Sequence, residues 1–239
     1  MTKKKSEKKS NGRLQSDFIT LTSHQLRTPL SGVKWLLELL QSDGTNLNKK
    51  QKDLLQKIYS SNERMIALVN DLLEVSRIEA GESKLYLQPT DLAPIIRGLL
   101  KEKEDQIKKK RIKVALIVEQ EPLPLVRTEP NKIRQALGNL VSNAISYTPE
   151  SGSVSIALSV QDGTILVSIK DTGVGIPKEE QKQVFTKFFR GTNILNFETN
   201  GTGLGLYITK AFVEASGGRI WFRSEENKGT TFYFTLPIA

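Results

Sequence analysis

The 239-residue chain contains no cysteine and a single histidine. The first absence excludes disulfides, thiolate chemistry and cysteine metal sites, and one histidine leaves no donor set for a zinc centre. Long apolar runs are missing too. No stretch approaches the roughly 20 apolar residues that cross a bilayer, and the N-terminus lacks the apolar segment of a secretory signal. The expected location of this core is therefore cytoplasmic, with any membrane attachment left to an upstream segment of a longer parent. Hydrophobic residues at 38% and charged residues at 26% describe a globular chain, long enough for one large domain or two ordinary ones.

Acidic residues are also in deficit, and the formal charge is +9. The excess is local: residues 1–13 hold Lys3, Lys4, Lys5, Lys8, Lys9 and Arg13 against Glu7, which leaves the rest of the chain only mildly basic. This run reads as a basic tail or linker, or as a segment lying just inside a membrane. Nothing in the body interleaves aromatic with basic residues, so no nucleic-acid partner is expected.

What is present begins with a helical stripe. Leu14, Phe18, Leu21, Leu26, Leu30, Val33, Leu37 and Leu40 recur at helical spacings, and the lone histidine, His24, lies inside the stripe in Ser23-His-Gln-Leu-Arg-Thr-Pro-Leu30. Pro29 removes a backbone donor and predicts a kink rather than an end, because the pattern resumes beyond it. Turn residues Asp43, Gly44 and Asn46 precede a second stripe from about 48 to 79, carrying Leu54, Leu55, Ile58, Met65, Leu68, Leu72 and Val75. Residues 14–80 thus read as a helical hairpin. Two helices cannot enclose stripes this wide, which predicts a homodimer whose hairpins form a four-helix bundle, the alternative being a monomer whose second domain covers this surface.

A linker is expected at 81–84, and the pattern then changes. Residues 84–87 alternate like a short strand, 92–111 look helical and 112–118 are rich in β-formers. A helix over 130–147 starts with Pro130 where a missing donor does no harm. Strands at 153–160 and 165–170 flank a Gln-Asp-Gly-Thr turn, and a glycine-rich stretch, a helix at 204–216 and strands near 219–224 and 230–236 follow. Mixed elements without regular βαβ alternation predict an α+β sandwich over 85–239, one sheet under one helical layer.

Three constellations in this second domain carry chemistry. Asn139 and Asn143 stand four apart on one helix face, and a carboxamide oxygen is a neutral hard ligand for magnesium already held by phosphates and water. Asp171-Thr-Gly-Val-Gly-Ile-Pro177 sets an acid at a strand end before two glycines; it reads either as an acceptor for an exocyclic amine beside a ring-contacting turn or as a tight turn only. Gly201-Thr-Gly-Leu-Gly-Leu206 precedes a helix, where backbone N–H groups and the helix N-terminus favour phosphate. It follows no strand and lacks the P-loop lysine, so neither a dinucleotide fold nor a P-loop is expected. Between the last two, Phe185-Thr-Lys-Phe-Phe-Arg-Gly191 opens a polar, glycine-flanked loop of the kind that closes over a ligand.

In this order and at these separations, the motifs from about residue 14 onward resemble the catalytic core of sensor histidine kinases of two-component signalling. That family joins a dimerisation and histidine-phosphotransfer hairpin to an ATP-binding domain of the Bergerat (GHKL) fold. The resemblance implies His24 as phosphoacceptor, Thr28 as the residue orienting water for dephosphorylation of a response regulator, and Asn143 as ligand of Mg2+ with Asn139 as its partner. It further implies Tyr147 beside the adenine, Asp171 as the adenine-amine acceptor, Gly173 and Gly175 at the ring, and Arg190 at the terminal phosphate. Gly201, Thr202, Gly203, Leu204, Gly205 and Leu206 would form the phosphate loop.

The implied activity is ATP-dependent autophosphorylation and transfer to an aspartate of a response regulator, with phosphatase activity toward that regulator; a regulator phosphatase or an ATP-binding scaffold with little kinase activity is the alternative. Two positions depart from the family pattern. Gln25 stands where the family has an acid; it cannot accept the proton but can orient the imidazole, roughly three quarters of which is neutral at pH 7 when unperturbed. Ser146 replaces a common lysine, leaving Arg190 and Lys187 more of the phosphate charge and predicting weaker nucleotide binding.

Overall fold

A computed structural model describes residues 22–23, 25–40, 47–82, 85–194 and 201–239. The chain divides into two compact units, Met1–Lys84 and Leu85–Ala239. Residues 1–21, with the basic run and the start of the first expected stripe, His24, the expected turn residues Asp43, Gly44 and Asn46, and residues 195–200 lie outside the described residues.

In the first unit, residues 25–40 form helix α1 and Lys49–Ala80 form α2. Pro29 does not end α1, which runs through it. Helix α2 begins with a reciprocal cap: the Asn48 side chain accepts from the Gln51 backbone N–H at 3.0 Å, and the Gln51 side chain accepts from the Asn48 N–H at 2.9 Å. It ends at Gly81, whose left-handed conformation (φ 71°) lets the Gly81 N–H reach the Ile78 carbonyl. Cross-links fix an antiparallel register. Arg27 donates to the Asn70 side chain at 2.8 Å, the Asn62 amide donates to the Leu30 carbonyl at 2.9 Å, and Lys34 pairs with Glu63 at 3.1 Å. Among the described residues no helix is long and apolar enough to cross a membrane.

The second unit is a mixed α+β sandwich. Its main sheet has the order β2-β4-β5-β7-β6, built from β2 (Lys113–Val118), β4 (Ser153–Gln161), β5 (Thr164–Asp171), β6 (Arg219–Glu225) and β7 (Gly229–Pro237). Strands β2 and β4 are parallel, and the other neighbours are antiparallel. Two short strands, β1 (Gln88–Thr90) and β3 (Val126–Thr128), pair separately. The helices are α3 (Leu92–Glu102), α4 (Glu104–Lys110), α5 (Pro130–Tyr147) and α6 (Gly205–Ala215). Alternation sorts the strands, with Ile156 and Leu158, Ile165, Val167 and Ile169, and Phe232, Phe234 and Leu236 buried under Ile133, Leu137, Leu140 and Ile145 of α5. The β4–β5 hairpin closes through Asp162 and Gly163, both at positive φ, as its Asp-Gly turn requires.

Three local expectations are corrected. Residues 85–87 are not a strand; the extended segment is β1, three residues further on, because its partner β3 sets the pairing. The helix expected over 92–111 is two, since α3 ends at Lys103 (φ −100°, ψ 6°) after its buried face is used up, and α4 has no buried residue. Strand β3 was not anticipated: three residues with Arg127 in the middle carry no readable alternation.

Candidate functional site

The three constellations meet around the C-terminal half of α5. Its inward residues, Leu137, Leu140, Val141 and Ala144, are buried, which turns Asn139, Asn143 and Tyr147, all half-buried, to one side of the core. The Asn139 amide donates to the Gly205 carbonyl at 3.1 Å and to the Thr209 hydroxyl at 3.4 Å, tying α5 to the first turn of α6. A side chain at Gly205 would begin 3.2 Å from that carboxamide, so glycine permits the approach.

Asp171 ends β5 and is 6% exposed. Two backbone donors fall on one oxygen: the Gly173 and Thr230 N–H groups reach Oδ1 at 2.8 and 3.1 Å. Burial pushes the Asp171 carboxyl up to about 6, and these two hydrogen bonds to the ionised form act against the shift. The glycines after it are needed for reasons internal to the fold. A Cβ on Gly173 would lie 2.6 Å from the Tyr147 carbonyl, and one on Gly175, which also has φ +66°, would lie 2.1 Å from the Glu225 carbonyl. The Val174 N–H donates to the Tyr147 carbonyl at 3.3 Å, so the end of α5 and the glycine turn are one construction.

The loop opening α6 completes the cluster. Gly201 is exposed, and a Cβ there would stand 3.9 Å from the Tyr147 hydroxyl. Gly203 (φ +74°) lies against the Phe188 backbone, and the Thr202 hydroxyl accepts from the Leu204 N–H at 3.2 Å. Leu204 is fully buried and Leu206 packs on the core, so these two leucines offer a ligand only their backbone. Arg190 is exposed, while the Lys187 ammonium lies 5.9 Å from the Tyr207 ring centre. In the helical unit, Gln25 and Thr28 are both exposed on α1.

Two features escaped the sequence. Helix α5 ends without a basic residue in its last turn, and Lys110 from α4 supplies one: its Nζ donates to the carbonyls of Ile145, Ser146 and Thr148 at 2.9, 2.8 and 2.6 Å. Burial holds this ammonium below the usual lysine range. The uncapped end Ile-Ser-Tyr-Thr-Pro was the available signal, but the run 108–111 reads as a solvated charge cluster. The second feature is Asn193, whose partners are distant in sequence. Among the described residues, no group of three or more His, Cys, Asp or Glu could hold a metal ion.

An α+β sandwich with a carboxamide-bearing helix, a buried acid at a strand end and a glycine loop opening a further helix is the architecture of the GHKL class. Comparison with known proteins narrows this. Residues 14–81 match the family described as His Kinase A (phospho-acceptor) domain, and residues 128–239 match Histidine kinase-, DNA gyrase B-, and HSP90-like ATPase. Sensor histidine kinase WalK of Bacillus subtilis (strain 168) is 36% identical over 225 residues, which are 92% of this chain and 36% of WalK. Full-length ShkA, crystallised with AMPPNP, superposes with a TM-score of 0.75 at 30% identity, over 93% of this chain and 46% of that one. The nucleotide-free catalytic domain of histidine kinase ThkA gives 0.56 at 33% identity, over 64% of this chain and 95% of that one. The chain belongs to the histidine kinase family. It spans between a quarter and about a third of the length of the curated relatives it matches.

Proposed function

We infer that this chain is an ATP-dependent autokinase core that phosphorylates its own His24 and passes the phosphoryl group to an aspartate of a response regulator. The observation that carries the reading is that one helix, α5, holds both glycine segments: its Tyr147 carbonyl receives the Asp171–Gly175 turn at an approach only glycine allows, and its Asn139 amide ties down Gly205 of the 201–206 loop. With Oδ1 of Asp171 already holding two N–H groups, Oδ2 is the acceptor for an adenine amine. The amides of the 201–205 segment, entering α6, suit phosphate oxygens. AMPPNP in the related ShkA structure supports ATP as the nucleotide.

The donor chemistry fits magnesium brought by the nucleotide. Among the described residues there is no carboxylate cluster to hold it, so Asn143 would offer one neutral oxygen, and the phosphates and water would provide the rest. The ion would neutralise charge on the transferring phosphoryl group. The chain's own part is positioning: Asp171 fixes the base, Asn139 holds α5 on α6, and Arg190 faces the terminal phosphate as a cation. Gln25 orients the neutral imidazole of His24, which attacks the γ-phosphate with ADP as the leaving group, while Thr28 orients water for hydrolysis of the regulator's aspartyl phosphate, releasing inorganic phosphate. The broad exposed apolar faces of α1 and α2 support a homodimer assembled as a four-helix bundle. Gln25 in place of an acid also favours a second reading, a regulator phosphatase or ATP-binding scaffold with little kinase turnover.

Incubation with γ-labelled ATP and magnesium separates the two. The kinase gives acid-labile, base-stable label that vanishes in His24→Ala; bound ATP without label favours the phosphatase or scaffold. The lysine missing at Ser146 has its own test: Ser146→Lys is expected to tighten ATP binding by about threefold to tenfold, the range of one partly screened charge contact, and unchanged affinity contradicts that role.

A further inference from the structure

The Asp171–Gly175 turn is held by two separate segments. The β6–β7 hairpin grips it: the Asn227 N–H donates to the Val174 carbonyl at 2.7 Å, and Gly175 lies against the Glu225 carbonyl. From the other segment, the Asn193 side-chain amide donates to the Gly175 carbonyl at 3.1 Å and to the Val174 carbonyl at 3.4 Å. Asn193 sits in a single helical turn, Thr192–Ile194, and that turn is itself pinned. The Glu180 carboxylate accepts from the Thr192 hydroxyl at 2.6 Å and from its N–H at 3.2 Å, while Ile194 is buried. Glu180 belongs to the segment that leaves the turn through Ile176 and Pro177, and its own N–H donates to the Pro177 carbonyl at 3.0 Å. The links close a ring: turn, Glu180, Thr192, Asn193 and back to the turn.

We propose that Asn193, clamped by Glu180 through Thr192, is a positioning residue that sets the Asp171–Gly175 turn for recognition of the adenine ring. The proposal rests on the nucleotide reading of this site. Carbonyls of a non-repetitive turn need donors to stay put, and a carboxamide that donates to two successive carbonyls fixes the turn without contributing a charge. The base is then met by a surface whose shape is determined before binding, which lowers the cost of ordering it.

The test uses the full chain with magnesium, calorimetric titration of ADP and competition by inosine diphosphate, which lacks the exocyclic amine. Asn193→Ala removes the donor, and Asn193→Asp keeps its size while setting oxygen against the two carbonyls. Both are expected to weaken ADP about fivefold, the effect of about one net hydrogen bond. The preference for ADP over inosine diphosphate should shrink by the same factor, while the melting temperature of the nucleotide-free chain falls by only about 2–4 °C. Thr192→Val, which removes one exposed link to Glu180, is expected to give about half that change and covers the case in which an Asn193 variant does not fold. Unchanged ADP affinity, or equal losses for both nucleotides that leave the preference intact, would overturn the proposal. A wild-type chain that binds neither nucleotide would instead overturn the nucleotide reading beneath it.

Discussion

The two units of this chain treat apolar surface in opposite ways. In residues 85–239 the strands and helices cover one another, and the large apolar side chains left exposed, such as Tyr86, Ile117 and Phe188, stand on separate elements. In α1 and α2, Leu26, Trp35, Leu36, Leu54, Ile58 and Leu68 are 43–60% exposed along the same two helices. A two-layer sandwich can enclose its own core, whereas a pair of helices with wide stripes cannot. The difference teaches a division of labour: the sandwich unit covers its own apolar surface, while the described helices of the first unit leave theirs open, the surface on which the proposed dimer would form.

Perturbing the closed unit at its tightest point should have the largest effect. Gly175→Ala places a Cβ 2.1 Å from a backbone carbonyl at a position with φ +66°, so the hairpin and turn must separate. A loss of about 3 kcal/mol, or roughly 6–12 °C in melting temperature, is expected; a melting curve matching wild type would show that the turn and hairpin are not locked. Lys110→Met removes three hydrogen bonds at the end of α5 and leaves their carbonyls with water alone. About 2 kcal/mol is expected from thermal melting, and a loss below a tenth of that would remove Lys110 from the account.

The site was legible in type but not in cause. Asn139, Asn143, Asp171 and the glycines announce themselves by spacing, and the structure brings their segments together. The glycines, however, make room for the protein's own backbone at Tyr147, Glu225 and Phe188, contacts that no local pattern encodes. The β4–β5 hairpin could be read because its strands alternate over eight or nine residues around Asp-Gly. The break at Lys103 could not, since the helix-forming composition runs straight through it while tertiary burial stops. Lys110 and Asn193 act on carbonyls about 20 to 40 positions away, beyond the reach of any periodicity.

A smaller effect is carried by pH. Asp171 is held at about 6 in the folded chain, against roughly 3.9 when unfolded. Between these values the folded chain takes up a proton that the unfolded chain does not, so this group favours folding in acid and that contribution is lost as pH rises through 6. Nucleotide affinity runs the other way, because the ionised carboxylate is the stronger acceptor. Melting and ADP titration between pH 5 and 8 should show these opposed slopes in wild type and their absence in Asp171→Asn; parallel profiles in the two proteins would contradict the assignment.

The open unit gives the mildest change at the nucleotide site. Leu36→Ser is expected to weaken self-association by about tenfold, from the apolar area that one leucine would bury, while leaving magnesium–ADP affinity within about twofold. Sedimentation and calorimetry on the same sample check both halves, and equal self-association in mutant and wild type would place the dimer contact elsewhere.

The most direct test of the division of labour is to prepare residues 85–239 alone and titrate them with magnesium–ADP beside the full chain. The account predicts a folded, monomeric fragment that binds with the affinity of the full chain to within about threefold, while the full chain sediments as a dimer. A fragment that folds but does not bind, or that needs residues 14–82 to do so, would contradict it.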